Sequence, residues 1–148
     1  MKNDNALFYT CSLIEFISRR QKLKRSEAVN ALGKENVTRI YSHSDVFHCE
    51  VIDSVADKFI EICGITTGNF DNISDCKYSV PDYWDIGEVY ERLIEDVRKD
   101  GSVSETVETL FNVYNSWISD SISNFNSDFY YQSRQYIKEC YIQNGLIA

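Results

Sequence analysis

Residues 52–64 read IDSVADKFIEICG. Ile52, Val55, Ala56, Phe59, Ile60 and Cys63 recur at intervals of three or four, so a helix turning every ~3.6 residues places them on one buried face. Gly64 supplies the stop, because glycine takes the left-handed conformation that closes a helix. The segment is therefore read as an amphipathic helix, with its start near Ser44 or Asp45. On that reading His48 and Cys49 belong to the face that packs.

The same pattern continues in both directions. A first helix is expected over Asn5–Gln21, with Leu7, Cys11, Ile14 and Ile17 on one stripe and Phe8, Leu13 and Phe16 widening it, which marks the helix as central. Ser26 is the expected cap of a short helix running to Leu32 and ended by Gly33, and residues 35–41 give another short turn. Residues 65–79, "ITTGNFDNISDCKYS", hold turn residues without a period and are read as a loop with room for a small hairpin. After Pro81, the residues Ile86, Val89, Tyr90, Leu93, Ile94 and Val97 trace one face, capped by Asp82 or Asp85. Ser102 and Glu105 stand in capping-box spacing and open a helix expected to run about five or six turns, with Val107, Leu110, Phe111, Tyr114, Trp117, Ile118 and Ile122 inward. Ile137, Cys140 and Tyr141 mark a last helix ended by Gly145. The fold expected is all-α: a compact bundle of about five to seven helices in one domain, residues 1–64 and 80–148 sharing a core across an irregular segment near 65–80.

Composition narrows the function classes. One proline and six glycines in 148 residues leave few helix breakers, and the 43% hydrophobic content is enough for a core without covalent staples. The five cysteines, at 11, 49, 63, 76 and 140, are odd in number and irregular in spacing, which is the pattern of reduced thiols in the cytoplasm. No run approaches the ~18 apolar residues of a membrane span, and the first residues have no secretory-leader pattern. The net charge of −8 argues against nucleic acid as the main partner, since affinity for a polyanion comes largely from Lys and Arg. Residues 1–40 hold eight Lys or Arg against four Asp or Glu, whereas residues 41–148 hold seven against nineteen. The basic run "RRQKLKR" (19–25) is read as a solvated helix end complementing the dipole, with phosphate contact as the alternative.

Chemistry-bearing residues are sparse. "YSHSDVFHCE" (41–50) contains both histidines, but they are five apart and Cys49 has no near partner, so zinc-ligand spacing is missing. His48 and Cys49, adjacent on one helix, project about 100° apart and do not form a nucleophile–base pair by adjacency. Asp82, Asp85, Glu88 and Glu91 fit the first turns of a helix as dipole partners. Phosphate-loop, GxSxG and HExxH patterns are absent from the sequence. The expectation is a non-enzyme without metal or cofactor.

Two aromatic–acidic segments remain, "VPDYWDIGEVY" (80–90) and "FNSDFYY" (125–131). Tyr and Trp bury much area at low entropy cost and keep a polar tip, the composition of a protein-binding patch. Tyr83, Trp84, Asp85, Phe129, Tyr130 and Tyr131 are the candidate partner-binding residues.

Residues 6–62 carry a resemblance. The order is an apolar first helix, a Ser-capped "SEAVNALGKENVTRIY" (26–41) with aromatic residues around Tyr41, then His48 ahead of an acidic amphipathic helix in "SDVFHCEVIDSVADKFI" (44–60). This resembles a family of short bacterial proteins that accompany toxins with an ADP-ribosyltransferase-like fold. The resemblance implies a helical antitoxin without catalytic activity, in which His48 and its neighbours serve fold or partner contact. The partner expected is a toxin encoded by a neighbouring gene, and the domain itself is expected to be a monomer or homodimer. Residues 66–148 lie outside it. Alternatives are a phage or plasmid counter-defence inhibitor, an enzyme using a cysteine with His43 or His48, and a nucleic-acid contact through residues 19–25.

Overall fold

In a computed structural model that describes residues 4–147, the first helix, α1 (Asn5–Gln21), begins where the Asp4 carboxylate accepts the Leu7 amide at 3.0 Å. Its stripe of Leu7, Cys11, Ile14 and Ile17 is fully buried, and Leu13 and Tyr9 on the flanks are buried too. The hydroxyls of Thr10 and Ser18 donate to the carbonyls of Ala6 and Ile14, which satisfies polar groups on a helix with almost no solvent-facing side. Lys22 then closes the helix in the left-handed region at φ 53°.

Helix α2 (Arg25–Ser42) starts one residue before the expected cap: the Lys24 amide donates to Glu27 at 2.8 Å, and Ser26 lies inside the first turn. At Gly33 the backbone leaves helical geometry (φ 80°, ψ 160°), so the two short segments expected from the sequence are present, joined by a kink.

Residues 44–63 do not form one helix. Helix α3 (Ser44–Phe47) is a single turn, followed by a bend and then α4 (Ile52–Cys63), which Gly64 ends in the left-handed region. The Phe47 and Phe59 rings explain the break. Twelve residues of straight helix would hold them about 18 Å apart, whereas their centroids stand 5.4 Å apart, edge to face. The bend at 48–51 brings them together and leaves His48 and Cys49 exposed, which corrects their expected place on the packing face.

Residues 65–80 carry no strand, so the hairpin for which the sequence left room is not formed. The segment is nevertheless anchored. Gly68 and Phe70 donate their amides to the carbonyls of Gln21 and Lys22, and Asn72 donates to the Ser123 carbonyl. Gly68 allows that approach, since a Cβ there would lie 2.7 Å from the Lys22 oxygen.

Asp82 caps α5 (Tyr83–Val97), accepting the Asp85 amide at 2.7 Å. Ser102 likewise caps α6 (Val103–Tyr114). The expected long helix stops there. The Val113 carbonyl, which a continuing helix would offer to residue 117, accepts both the amide and the hydroxyl of Ser116, and the Asn115 side chain donates to the Phe111 carbonyl. A separate helix, α7 (Trp117–Ser123), follows. A 3₁₀ turn (Phe129–Tyr131) leads to α8 (Arg134–Gln143), closed by Asn144 at φ 60° one residue before the expected Gly145.

The packing is α1 against α5 and α2, with α6 on α2 and α8 on α5, around one continuous core. The fold is an all-α bundle, with eight α-helices and no strand among the described residues. Phe59 and Leu93 are buried as their stripes require. Among the described residues no helix is long and apolar enough to cross a membrane.

The basic run 19–25 divides: Arg20, Lys22 and Lys24 are exposed, whereas Arg19 and Arg25 turn inward. Arg25 is only 1% exposed and donates to Glu15, itself fully buried, through Nε at 2.8 Å and Nη2 at 2.5 Å. Arg19 donates to the same carboxylate at 2.7 Å. Both guanidinium groups lie over the Phe125 ring. Leu23 is buried, and Arg20 pairs with Asp57. The expected solvated helix end therefore holds for Arg20, Lys22 and Lys24, while Arg19 and Arg25 form an interior ion-pair cluster with Glu15, because the chain turns at Lys22.

Candidate partner-binding groove

The first turn of α5 sorts its side chains by direction. Tyr83 turns toward α1, its ring 5.1 Å from Phe16, and Trp84 stands against Phe8 at 5.5 Å and Tyr83 at 4.9 Å. Trp84 remains 36% exposed, so one edge of the indole meets solvent. Asp85 points the other way, where Glu88, Val89, Arg92 and Leu93 follow at helical spacing on the same side.

Across from that side, Tyr130, Tyr131 and the first turns of α8 form the second wall of a groove of about 440 Å³. Val80 and Pro81 form one end. Tyr131 is 83% exposed, Tyr130 is half-buried with its ring edge-on to Phe125, and Phe129 is buried between Trp117 and Tyr136. Of the six candidate residues, Asp85, Tyr130 and Tyr131 line one groove. Tyr83 and Trp84 occupy the adjoining face over α1, and Phe129 supports the 3₁₀ turn from within.

Both walls are fixed by charge. Arg134 at the start of α8 binds Asp96 through two hydrogen bonds of 2.8 Å and reaches Glu95 at 3.1 Å. The other Glu95 oxygen accepts the Asp4 amide at 2.7 Å, which ties the start of α1 to the same cluster. Arg19 donates to the Pro81 carbonyl at 2.8 Å, so the interior ion-pair cluster holds the end of the groove. On α5, Glu91 is buried with Oε2 unpartnered in the protein. Burial, and the Glu95 carboxylate beside it, push Glu91 up to about 8.

Sequence reasoning missed Glu88, Val89, Arg92, Leu93, Arg134 and Ile137 as groove residues. The first four stand three, four, seven and eight positions after Asp85, a spacing that puts them along one side of a helix. The same spacing marks Val89 and Leu93 as core, and Glu88 reads as a dipole partner of the helix start. Nothing local in the sequence relates Arg134 or Ile137 to α5.

His48 and Cys49 lie outside the groove. The Cys49 Sγ is 3.7 Å from His48 Nδ1, in a turn that continues α3 through the Cys49 and Glu50 amides bonded to the Val46 and Phe47 carbonyls. Cys49 also donates to the Asp45 carbonyl. Both side chains sit on a projecting turn. All five cysteines are free thiols, and no cluster of three or more His, Cys, Asp or Glu side chains arranged for a metal occurs among the described residues. Burial pushes the Cys11 thiol well above its ordinary value.

Compared with protein-family models, curated proteins and solved structures, the chain matches none.

Proposed function

We propose that this chain is a cytoplasmic protein-binding protein that neutralises a partner toxin encoded beside it, acting by occlusion rather than by catalysis, and that its binding surface is the groove between α5 and residues 130–137. The observation that carries the reading is the meeting of two segments 45 residues apart, Asp85 from one and Tyr130 and Tyr131 from the other, on one partly apolar cleft. An 83% exposed tyrosine beside such a cleft serves no packing purpose, whereas large aromatics at the centre of an interface dominate binding energy. The resemblance of residues 6–62 and the acidic balance after residue 40 support the same reading, because complementary charge accelerates capture of a basic target. A counter-defence inhibitor would use the same physics.

The experiment is co-expression with the adjacent reading frame. Growth rescue and co-purification are expected, with both lost in Tyr131→Ala while the melting temperature is unchanged. A chain that neither rescues growth nor retains the neighbouring product overturns the reading.

A further inference from the structure

Resting on the groove as the partner surface, we infer that the segment it accepts is cationic: a Lys or Arg of the partner protein set beside an aliphatic anchor. The floor is supplied by Val89, Leu93 and Ile137, which suits an aliphatic side chain. The rim carries both signs of charge, but the signs are not equally available. Arg134 is already held by Asp96 and Glu95 through three hydrogen bonds, so its charge is met within the protein. Arg92 reaches only Glu88, at 3.3 Å, and both side chains are close to half exposed. Such a pair contributes little and exchanges readily for another partner. Asp85 accepts one backbone amide, that of Asp82 at 3.4 Å, and so keeps most of its acceptor capacity.

An incoming anion would find Arg134 engaged and only Arg92 to receive it, with two carboxylates alongside. An incoming cation finds Asp85 and Glu88 one helical turn apart and the exposed Tyr131 ring across the groove, a surface on which an ammonium or guanidinium group can also rest. The excess of acids after residue 40 adds a long-range field of the same sign.

The test uses the full chain and a display library of random dodecapeptides, selected in parallel on the Tyr131→Ala and Glu88→Gln variants, both at exposed positions. Sequences pairing Lys or Arg with Leu, Ile or Val are expected to enrich on the native chain. A synthetic peptide of that kind should bind about tenfold more weakly to either variant. Enrichment of acidic or uncharged sequences, no enrichment, or equal binding to the variants overturns the inference. So does a native dimer that Tyr131→Ala converts to monomer, since the groove then holds a second copy. If the neighbouring gene product still co-purifies in a Tyr131-dependent manner while no cationic peptide enriches, the inference fails and the antitoxin reading survives.

Discussion

Gly87 of α5 rests directly on Ser12 of α1: a Cβ at position 87 would lie 2.8 Å from the Ser12 Cα, a separation that real side chains do not reach. The most extensive helix pairing in the molecule is therefore set by a hydrogen atom in place of a methyl group. Gly87→Ala, which raises helix propensity at an exposed site, should here destabilise by about 1–3 kcal/mol through overpacking. Chemical denaturation measures it, and Ser12→Gly in the same chain should recover part of the loss.

The Glu15–Arg25 pair should behave as a unit. Arg25→Met leaves a buried carboxylate with Arg19 as its remaining partner and should cost about 3–5 kcal/mol. Glu15→Gln combined with Arg25→Met removes both charges and should cost less than the single change. Its neighbouring guanidinium groups hold the Glu15 carboxyl below its ordinary value against the opposing effect of burial. The sign follows: this stability is present above the unfolded pKa of 4.5 and is lost as pH falls through the lower folded value. Urea midpoints for the native chain and the double variant should converge as pH is lowered into that range.

Glu91 has the opposite sign. Its carboxyl, raised to about 8 in the folded chain from an ordinary 4.5, binds a proton more tightly folded than unfolded. Stability is then greatest below 4.5 and declines as pH rises to about 8, above which the loss is complete. Glu91→Gln should flatten this slope and be the more stable chain at alkaline pH, read as melting temperature against pH.

Adjacent aromatics should separate stability from binding. Phe129→Ala empties a buried site and should cost about 3–5 kcal/mol. Tyr131→Ala should change stability by no more than about 0.5 kcal/mol. Calorimetry on the two variants tests the division.

The helical stripes were legible because period and burial are local properties: Leu7 to Ile17, Ile52 to Phe59 and Ile86 to Ile94 each announce a face. What was not legible depends on partners distant in sequence. Nothing near His48 reveals that Phe47 must reach Phe59, so the bend and the exposure of His48 and Cys49 stayed hidden. Asn115 and Ser116 are weak helix formers in an otherwise continuous stripe, and only their hydrogen bonds to Phe111 and Val113 show that the stripe is cut. Arg25 looked like a surface cation because its acid, Glu15, lies ten residues back on a different helix. The groove was legible as two separate segments and not as one cleft, since only the docking of α8 on α5 brings Tyr131 opposite Asp85.

The packing of α1 on α5, and of α2 on α6, makes the two sides of the 65–80 segment complementary fragments rather than modules. Each presents the other with the apolar surface that would otherwise meet water. A chain stopping near residue 64 would leave one whole flank of α1 bare and would have to obtain its second layer from another molecule. Here that layer is covalently attached, so one chain supplies both layers, and the side of α5 that bears Asp85, Glu88 and Arg92 stays exposed.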